Sequence, residues 1–226
     1  MNELFSVAID GPSGAGKSTV AKLCAERLGF LYVDTGAIYR TVGLAAKMSG
    51  VASKDFNALA ALLPSIEINM RHDENGLQRM ILNGNDVTDK IRMPDISVYA
   101  SDVSAIPAVR AFLLDMQRGL AHTNRVIMDG RDIGTVVLPD ADLKIFLTAK
   151  AEERAQRRYD ELILKGVKTT FEDVLKNIHY RDGNDSSREV APLKLAADAH
   201  FIDTTGNTLE ESFAIICGLI EEKMPK

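Results

Sequence analysis

The stretch GPSGAGKST, residues 11–19, places Gly11, Gly16, Lys17 and Ser18 at the spacing G-x-x-x-x-G-K-[ST], the pattern of a loop that cradles phosphate. Gly11, Gly14 and Gly16 let the backbone approach anionic oxygens at dihedrals and distances that a Cβ would obstruct. Pro12, Ser13 and Ala15 complete the loop, and its successive N–H groups converge on one anion. Lys17 supplies a mobile point charge for β- and γ-phosphates, the Ser18 hydroxyl is placed to ligate a bridging Mg²⁺, and Thr19 adds a local donor.

A second set of candidates is cationic. Arg40, Arg110, Arg131, Arg181 and Arg188 are scattered in sequence, yet all fall in or beside segments expected to leave a sheet at its ligand-binding edge. Phosphoryl transfer needs such charge, because the reacting group spreads negative charge over its oxygens and is stabilised by positioned cations. Arginine suits the task through its planar, permanently charged fork. Asp129, ending an apolar run, has the setting of a carboxylate that orients hydrated Mg²⁺ or fixes a loop, and Asp34 sits similarly. His72, His122, His179 and His200 show neither ligand spacing nor a nucleophile partner, so packing or surface roles suit them.

These groups need a frame. The run FSVAID leads into the phosphate loop, and Val20, Leu23, Cys24 and Leu28 follow as one face of a helix. FLYVD, residues 30–34, reads as a second buried strand followed by a helix to about Lys47. RVIMDG from Arg125, LKIFLT from Leu143 and HFIDTT from His200 supply three more strands. A closing amphipathic helix runs through Leu209, Phe213, Ile216, Cys217, Ile220 and Met224. Strands alternating with helices predict an α/β fold with a mainly parallel sheet covered on both faces.

Residues 65–92 break the rhythm. Ile66, Ile68 and Met70 alternate with polar residues, Asn75-Gly76 is a turn signal, and a less regular run follows to Leu82 before Asn83-Gly84. The pattern predicts a small antiparallel insertion forming a separate lobe over the site's mouth.

Composition narrows the class. With 226 residues and 46% hydrophobic content the chain can bury a substantial core. A net charge of −5 argues against a broad nucleic-acid or anionic-membrane surface, while permitting a locally basic cleft. Two isolated cysteines, Cys24 and Cys217, make neither metal cluster nor disulfide framework. No apolar run approaches a membrane span and the N-terminus lacks a leader pattern, so a reducing cytoplasm is the expected location.

The stretches DTGAIYR, SAIPAVR, DGRDIGTVVLPDADLKIFL and RDGNDSSREVAPL, with the phosphate loop, resemble the bacterial-type cytidylate kinase family over nearly the whole chain. The resemblance implies a single P-loop nucleoside monophosphate kinase domain over 1–226, with a five-stranded parallel core. It also implies a monophosphate-binding insertion at about 65–92, a mobile lid at about 150–190, and a monomer. The implied reaction is ATP + CMP giving ADP + CDP, with dCMP as second acceptor and Mg²⁺ as cofactor. By the same resemblance Thr35, Arg40 and Arg131 hold the acceptor phosphate, and Ser101, Arg110 and Asp132 read the cytosine edge. Arg181 and Asp185 lie near the ribose, and Arg188 completes R-D-x-x-D-x-x-R on the phosphate side. AEERAQRRYDE resembles the lid helix, which makes Arg154 and Arg158 candidates for ATP; Arg157 is left to i,i+4 ion pairs with Glu153 and Glu161.

Two other functions fit a phosphate loop. Another small-molecule kinase, acting for instance on shikimate or dephospho-coenzyme A, would keep the loop and change the acceptor site, but the arginine set favours a phosphorylated acceptor. A nucleotide-driven switch or motor would carry signatures such as N-K-x-D or L-S-G-G-Q, and neither occurs.

Overall fold

Asp10, Asp34, Gly130 and Thr148 each end a strand at the same edge of one parallel sheet, and this edge gathers the site. The computed structural model describes residues 4–74 and 76–225. In chain order the elements are β1 (Ser6–Asp10), α1 (Lys17–Leu28), β2 (Leu31–Asp34), α2 (Thr35–Met48) and α3 (Phe56–Leu62). Then come β3 (Ile68–His72), β4 (Gln78–Leu82), β5 (Asn85–Asp86), α4 (Pro94–Val103) and α5 (Pro107–Thr123). The chain finishes with β6 (Val126–Gly130), β7 (Leu143–Thr148), α6 (Ala151–Leu164), α7 (Phe171–Ser187), β8 (His200–Asp203) and α8 (Leu209–Lys223).

The five-stranded sheet has the order β2-β6-β1-β7-β8, all parallel, as the strand and helix pattern predicts. Its central strands are apolar runs because both faces are covered; all of β6 is buried. Val20, Ala21 and Cys24 of α1 and Ile216, Cys217 and Ile220 of α8 fill one face. The α2, α4 and α5 helices fill the other, around Ile38, Val42, Val103 and Leu113. Cys24 and Cys217 are both free thiols in the first of these cores. Among the described residues no single helix is long and apolar enough to cross a membrane.

The expected antiparallel insertion is present as β3-β4-β5, with Ile68 opposite Leu82 and His72 opposite Gln78. Asn75 of the Asn75-Gly76 turn lies outside the described residues. The insertion is not a separate lobe over the site's mouth. Ile68, Met80 and Leu82 belong to the same buried cluster as α2 and α4. The reason is the edge of β2, whose backbone needs partners: the buried Gln78 amide accepts from Asp34 N at 2.7 Å and donates to Asp34 O at 3.1 Å. His72 Nε2 meets Tyr32 O at 2.8 Å beside it. The insertion thus fixes the end of β2.

Helix starts are set by local chemistry. Asp34 Oδ1 caps α2 by accepting from Ala37 N at 2.8 Å, Thr170 caps α7, and Thr208 with Glu211 forms a capping box on α8. Pro94 and Pro107 open α4 and α5 at positions that need no N–H donor. The α6 and α7 helices pack on each other over a small core of Ala155, Leu162, Val174 and Ile178.

The phosphate loop is pressed against β7. Gly11 has φ +148°, and a Cβ there would stand 1.9 Å from the Leu147 carbonyl oxygen. Gly11→Ala is therefore expected to cost about 2 kcal/mol or more, because backbone has to move. Urea unfolding at constant m measures this, and a midpoint equal to that of the unaltered protein would contradict the close approach.

Candidate active site

The sheet edge opens into a cleft of about 690 Å³ whose lining carries nine lysine and arginine side chains against five carboxylates. A chain of net charge −5 thus turns a cationic face inward. Ser13, Gly14, Ala15, Gly16, Lys17 and Ser18 form one wall. Lys17 starts α1 but is no solvated cation: it is buried, and its Nζ donates to Pro12 O at 2.8 Å. Burial, and next the Arg131 cation, lower its pKa to about 7 against the opposing carboxylates Asp129 and Asp10.

Asp129, at the end of β6, accepts from Ser18 Oγ at 2.8 Å and from Tyr32 Oη at 2.9 Å. Burial and the neighbouring Asp34 raise its pKa to about 6, with Lys17 opposing. Its main-chain oxygen accepts from Thr35 Oγ1 at 2.7 Å, an approach that needs the missing Cβ of Gly130. Asp34 fixes the turn into Thr35 by capping α2 and holds Arg40 Nη2 at 2.7 Å. Asp10, absent from the sequence candidates, orients the other side: it accepts from Ile133 N and Gly134 N, both at 2.8 Å, and so fixes the loop that carries Arg131 and Asp132.

The groups expected on the acceptor side converge from four segments. Arg131 Nε donates to Asp185 Oδ2 at 2.7 Å, and Ser101 Oγ donates to Asp185 Oδ1 at 3.0 Å. Arg188 Nη1 donates to Ser104 Oγ at 2.9 Å. Arg110 lies behind the cleft wall rather than on it, ion-paired with Asp132, which does line the cleft. Burial raises the Asp132 pKa, with Arg110 and Arg188 opposing. For Asp185 burial acts upward too, but Arg131, Arg181 and Arg188 together hold it below the ordinary carboxylate range.

Three of the arginines that line the cleft keep a buried donor unsatisfied. Arg40 Nε, Arg181 Nε and Arg188 Nη2 are buried without a hydrogen-bond partner. Burial, then Arg131, bring the Arg181 pKa down to about 10. Buried donors and crowded like charges both mark a place that an anion completes.

The lid arginines divide differently from the sequence expectation. Arg158 lines the cleft and pairs with Glu161 at 2.6 Å. Arg154 does not line it: the guanidinium is buried against Ala149 O, Ser13 O and Asp182. Arg157, left out from sequence, lines the cleft, with Nη2 3.0 Å from Thr204 O as well as 3.4 Å from Glu153. A side chain leans toward its helix N-terminus, so Arg154 in the first turn reaches back under the loop while Arg157 and Arg158 overhang the opening. Tyr39, Arg92 and Thr208 also line the cleft, and no spacing in the sequence distinguishes them.

A family model described as Cytidylate kinase matches residues 7–222. A cytidylate kinase of Caldicellulosiruptor saccharolyticus is 52% identical over 207 residues, 92% of this chain and 91% of its own. One from Leuconostoc mesenteroides is 48% identical over 220 residues, covering 97% and 98%. A solved structure of an uncharacterized protein from Eubacterium ventriosum shares the fold with a TM-score of 0.50 at 11% identity, covering 96% of this chain and 98% of that one. The phosphate loop, the cationic cleft and a match over nearly the full length together show that this chain belongs to the cytidylate kinase family.

Proposed function

We propose that the protein transfers the γ-phosphoryl group of ATP to the phosphate of CMP or dCMP, giving ADP and CDP or dCDP. Family membership supports the reaction. The observation that carries the reading is that one cleft is lined both by the phosphate loop with Lys17 and by Arg40, Arg131, Arg181 and Arg188. A CMP phosphate oxygen forms the new bond to the γ-phosphorus as the bond to the β-bridging oxygen breaks. No general base is required, because the acceptor phosphate is already anionic.

Lys17, Arg131, Arg158 and Arg188 act on the charge that spreads over the transferred group. The loop from Gly11 to Thr19 binds ATP. Thr35, Arg40 and Arg131 hold the acceptor phosphate; Ser101 and Asp132, with Arg110 behind, read the base; Arg181 and Asp185 approach the ribose. Mg²⁺ suits Ser18 and Asp129, since Asp129 is a buried carboxylate left short of positive charge. Among the described residues no three His, Cys, Asp or Glu side chains gather as a cage, so water and phosphate oxygens would supply most of its ligands. When bound, Mg²⁺ neutralises charge on the β- and γ-oxygens. Residues 65–92 support the acceptor side by fixing Asp34, and 150–190 act as the lid. The two free thiols suit a reducing cytoplasm.

An ADP-release assay with ATP and a panel of CMP, dCMP, UMP, AMP, GMP and shikimate tests this reading. CMP and dCMP are expected to lead; preference for AMP or GMP would overturn the specificity, and turnover with shikimate the acceptor class.

Base choice has a sharper test. Cytosine offers an amino donor where uracil offers a carbonyl acceptor. Ionised Asp132 accepts from the former and repels the latter, and its Arg110 partner favours the ionised state. Asp132→Asn is expected to lower kcat/KM for CMP about tenfold or more and to raise UMP relative to CMP, with ATP affinity nearly unchanged. An unaltered CMP/UMP ratio in a folded variant would leave Asp132 only a structural role.

Lys17 predicts a proton linkage. With its pKa lowered to about 7 in the free protein, Lys17 is largely neutral one unit above that value. ATP phosphates favour the charged form, so binding there takes up a proton, and the uptake fades below pH 7 where Lys17 is already charged. Titration calorimetry in buffers of different ionisation enthalpy reads this directly. Heats independent of buffer at the higher pH would remove Lys17 as the phosphate cation.

A further inference from the structure

The Arg154 guanidinium joins three separate pieces of the chain. Its Nε donates to Ala149 O at 2.8 Å, Nη1 to Ser13 O at 2.9 Å and Nη2 to Asp182 Oδ2 at 2.7 Å. The residue is 5% exposed and stands outside the cleft lining. The bond to Ser13 bears on phosphate binding because the C=O and N–H of one trans peptide point in opposite directions. With Ser13 O turned outward onto Arg154, the N–H of Gly14 turns inward to the cradle. Gly14 has φ +75°, and a Cβ there would meet the Arg154 carbonyl oxygen at 3.0 Å, so loop and α6 already touch.

Asp182 belongs to α7, next to Arg181, whose side chain lines the cleft with an unsatisfied Nε. Three residues further on, Asp185 holds both Arg131 and Ser101. One helix thus carries the acceptor-side groups and the carboxylate that orients Arg154.

We propose that Asp182 and Arg154 are a positioning pair: Asp182, on the acceptor-side helix, holds Arg154, and Arg154 holds the Ser13–Gly14 peptide with its N–H toward the donor phosphates. Neither residue touches the nucleotide. The pair makes donor binding depend on the placement of α7. The inference rests on reading the loop as the ATP site.

Asp182→Asn keeps the side chain's shape and removes its charge; Arg154→Lys keeps a charge and loses the fork that spans three partners. Affinities for ATP and for adenosine are measured by displacement of a fluorescent ATP analogue, in variants whose melting remains cooperative. ATP is expected to weaken about tenfold in both variants, the effect of one charge-assisted hydrogen bond, with adenosine unchanged. If Arg154 gripped the phosphates itself, freeing it from Asp182 would tighten ATP in Asp182→Asn, and that sign overturns the proposal. Equal losses for ATP and adenosine, or no loss in Asp182→Asn, overturn it as well. Should Arg154→Lys fail to fold, the sign in Asp182→Asn still decides. ATP binding by the unaltered protein tests the donor reading separately: its absence sinks that reading, whereas intact binding with an unmoved variant sinks only the pair.

Discussion

Crowded like charge in a partly enclosed cleft is what the rest of this structure has to hold in place. Arg131 opposes the charged form of Arg181, and both oppose that of Lys17. Removing such groups from water is costly unless partners compensate. The compensation is partial. Asp185 takes Arg131 and Asp34 takes Arg40, while donors on Arg40, Arg181 and Arg188 stay unpaired. A fully neutralised cleft would have no electrostatic reason to take up a nucleotide, and one without carboxylates could not order its arginines.

Asp185 is held by the side chains of Ser101 and Arg131, whereas the strand-end carboxylates Asp34 and Asp10 accept backbone N–H groups. Asp34 caps α2 and is itself gripped through its main chain by Gln78. Asp10 accepts two N–H groups from the turn after Arg131 and Asp132. Strand ends therefore set where Asp10 and Asp34 stand, α7 sets where Asp185 stands, and Asp34 and Asp185 hold Arg40 and Arg131. The small antiparallel sheet contributes from outside the cleft by completing the hydrogen bonding of β2.

The parts of this arrangement that were legible in the sequence are the local ones. The phosphate loop is one continuous pattern, and the parallel strands show as apolar runs because both faces are buried. Asp129 beside Ser18 follows from two adjacent parallel strand ends, a consequence of β1–β6 pairing. By contrast Gln78 reads as an ordinary strand residue, since its two bonds to Asp34 span 44 positions. Arg154, Arg157 and Arg158 share one helical side, so periodicity could not tell which is buried; the depth of the first turn of α6 beneath the loop decides it. The separate lobe expected at 65–92 fails for a related reason: alternation reveals a hairpin but not the unsatisfied strand edge that draws it in.

The segment 150–190, proposed above as the lid, meets the body through a set of polar contacts. Its own apolar core is small, built on Ala155, Leu162, Val174 and Ile178. Its attachments include Tyr180 to Asp102 at 2.5 Å, Asp185 to Ser101 and Arg131, and Arg154 to Ser13. Apolar interlocking would resist opening in proportion to the area exposed, at about 25 cal/mol per Å². A hydrogen bond exchanged for water changes stability by only about 1 kcal/mol. Asp185 illustrates the use of that difference: its partners Arg131 and Ser101 both line the cleft, so a ligand's phosphate and hydroxyl groups can take over their bonding without any apolar surface being exposed. Polar contacts of this kind let α7 exchange partners with a ligand at little cost.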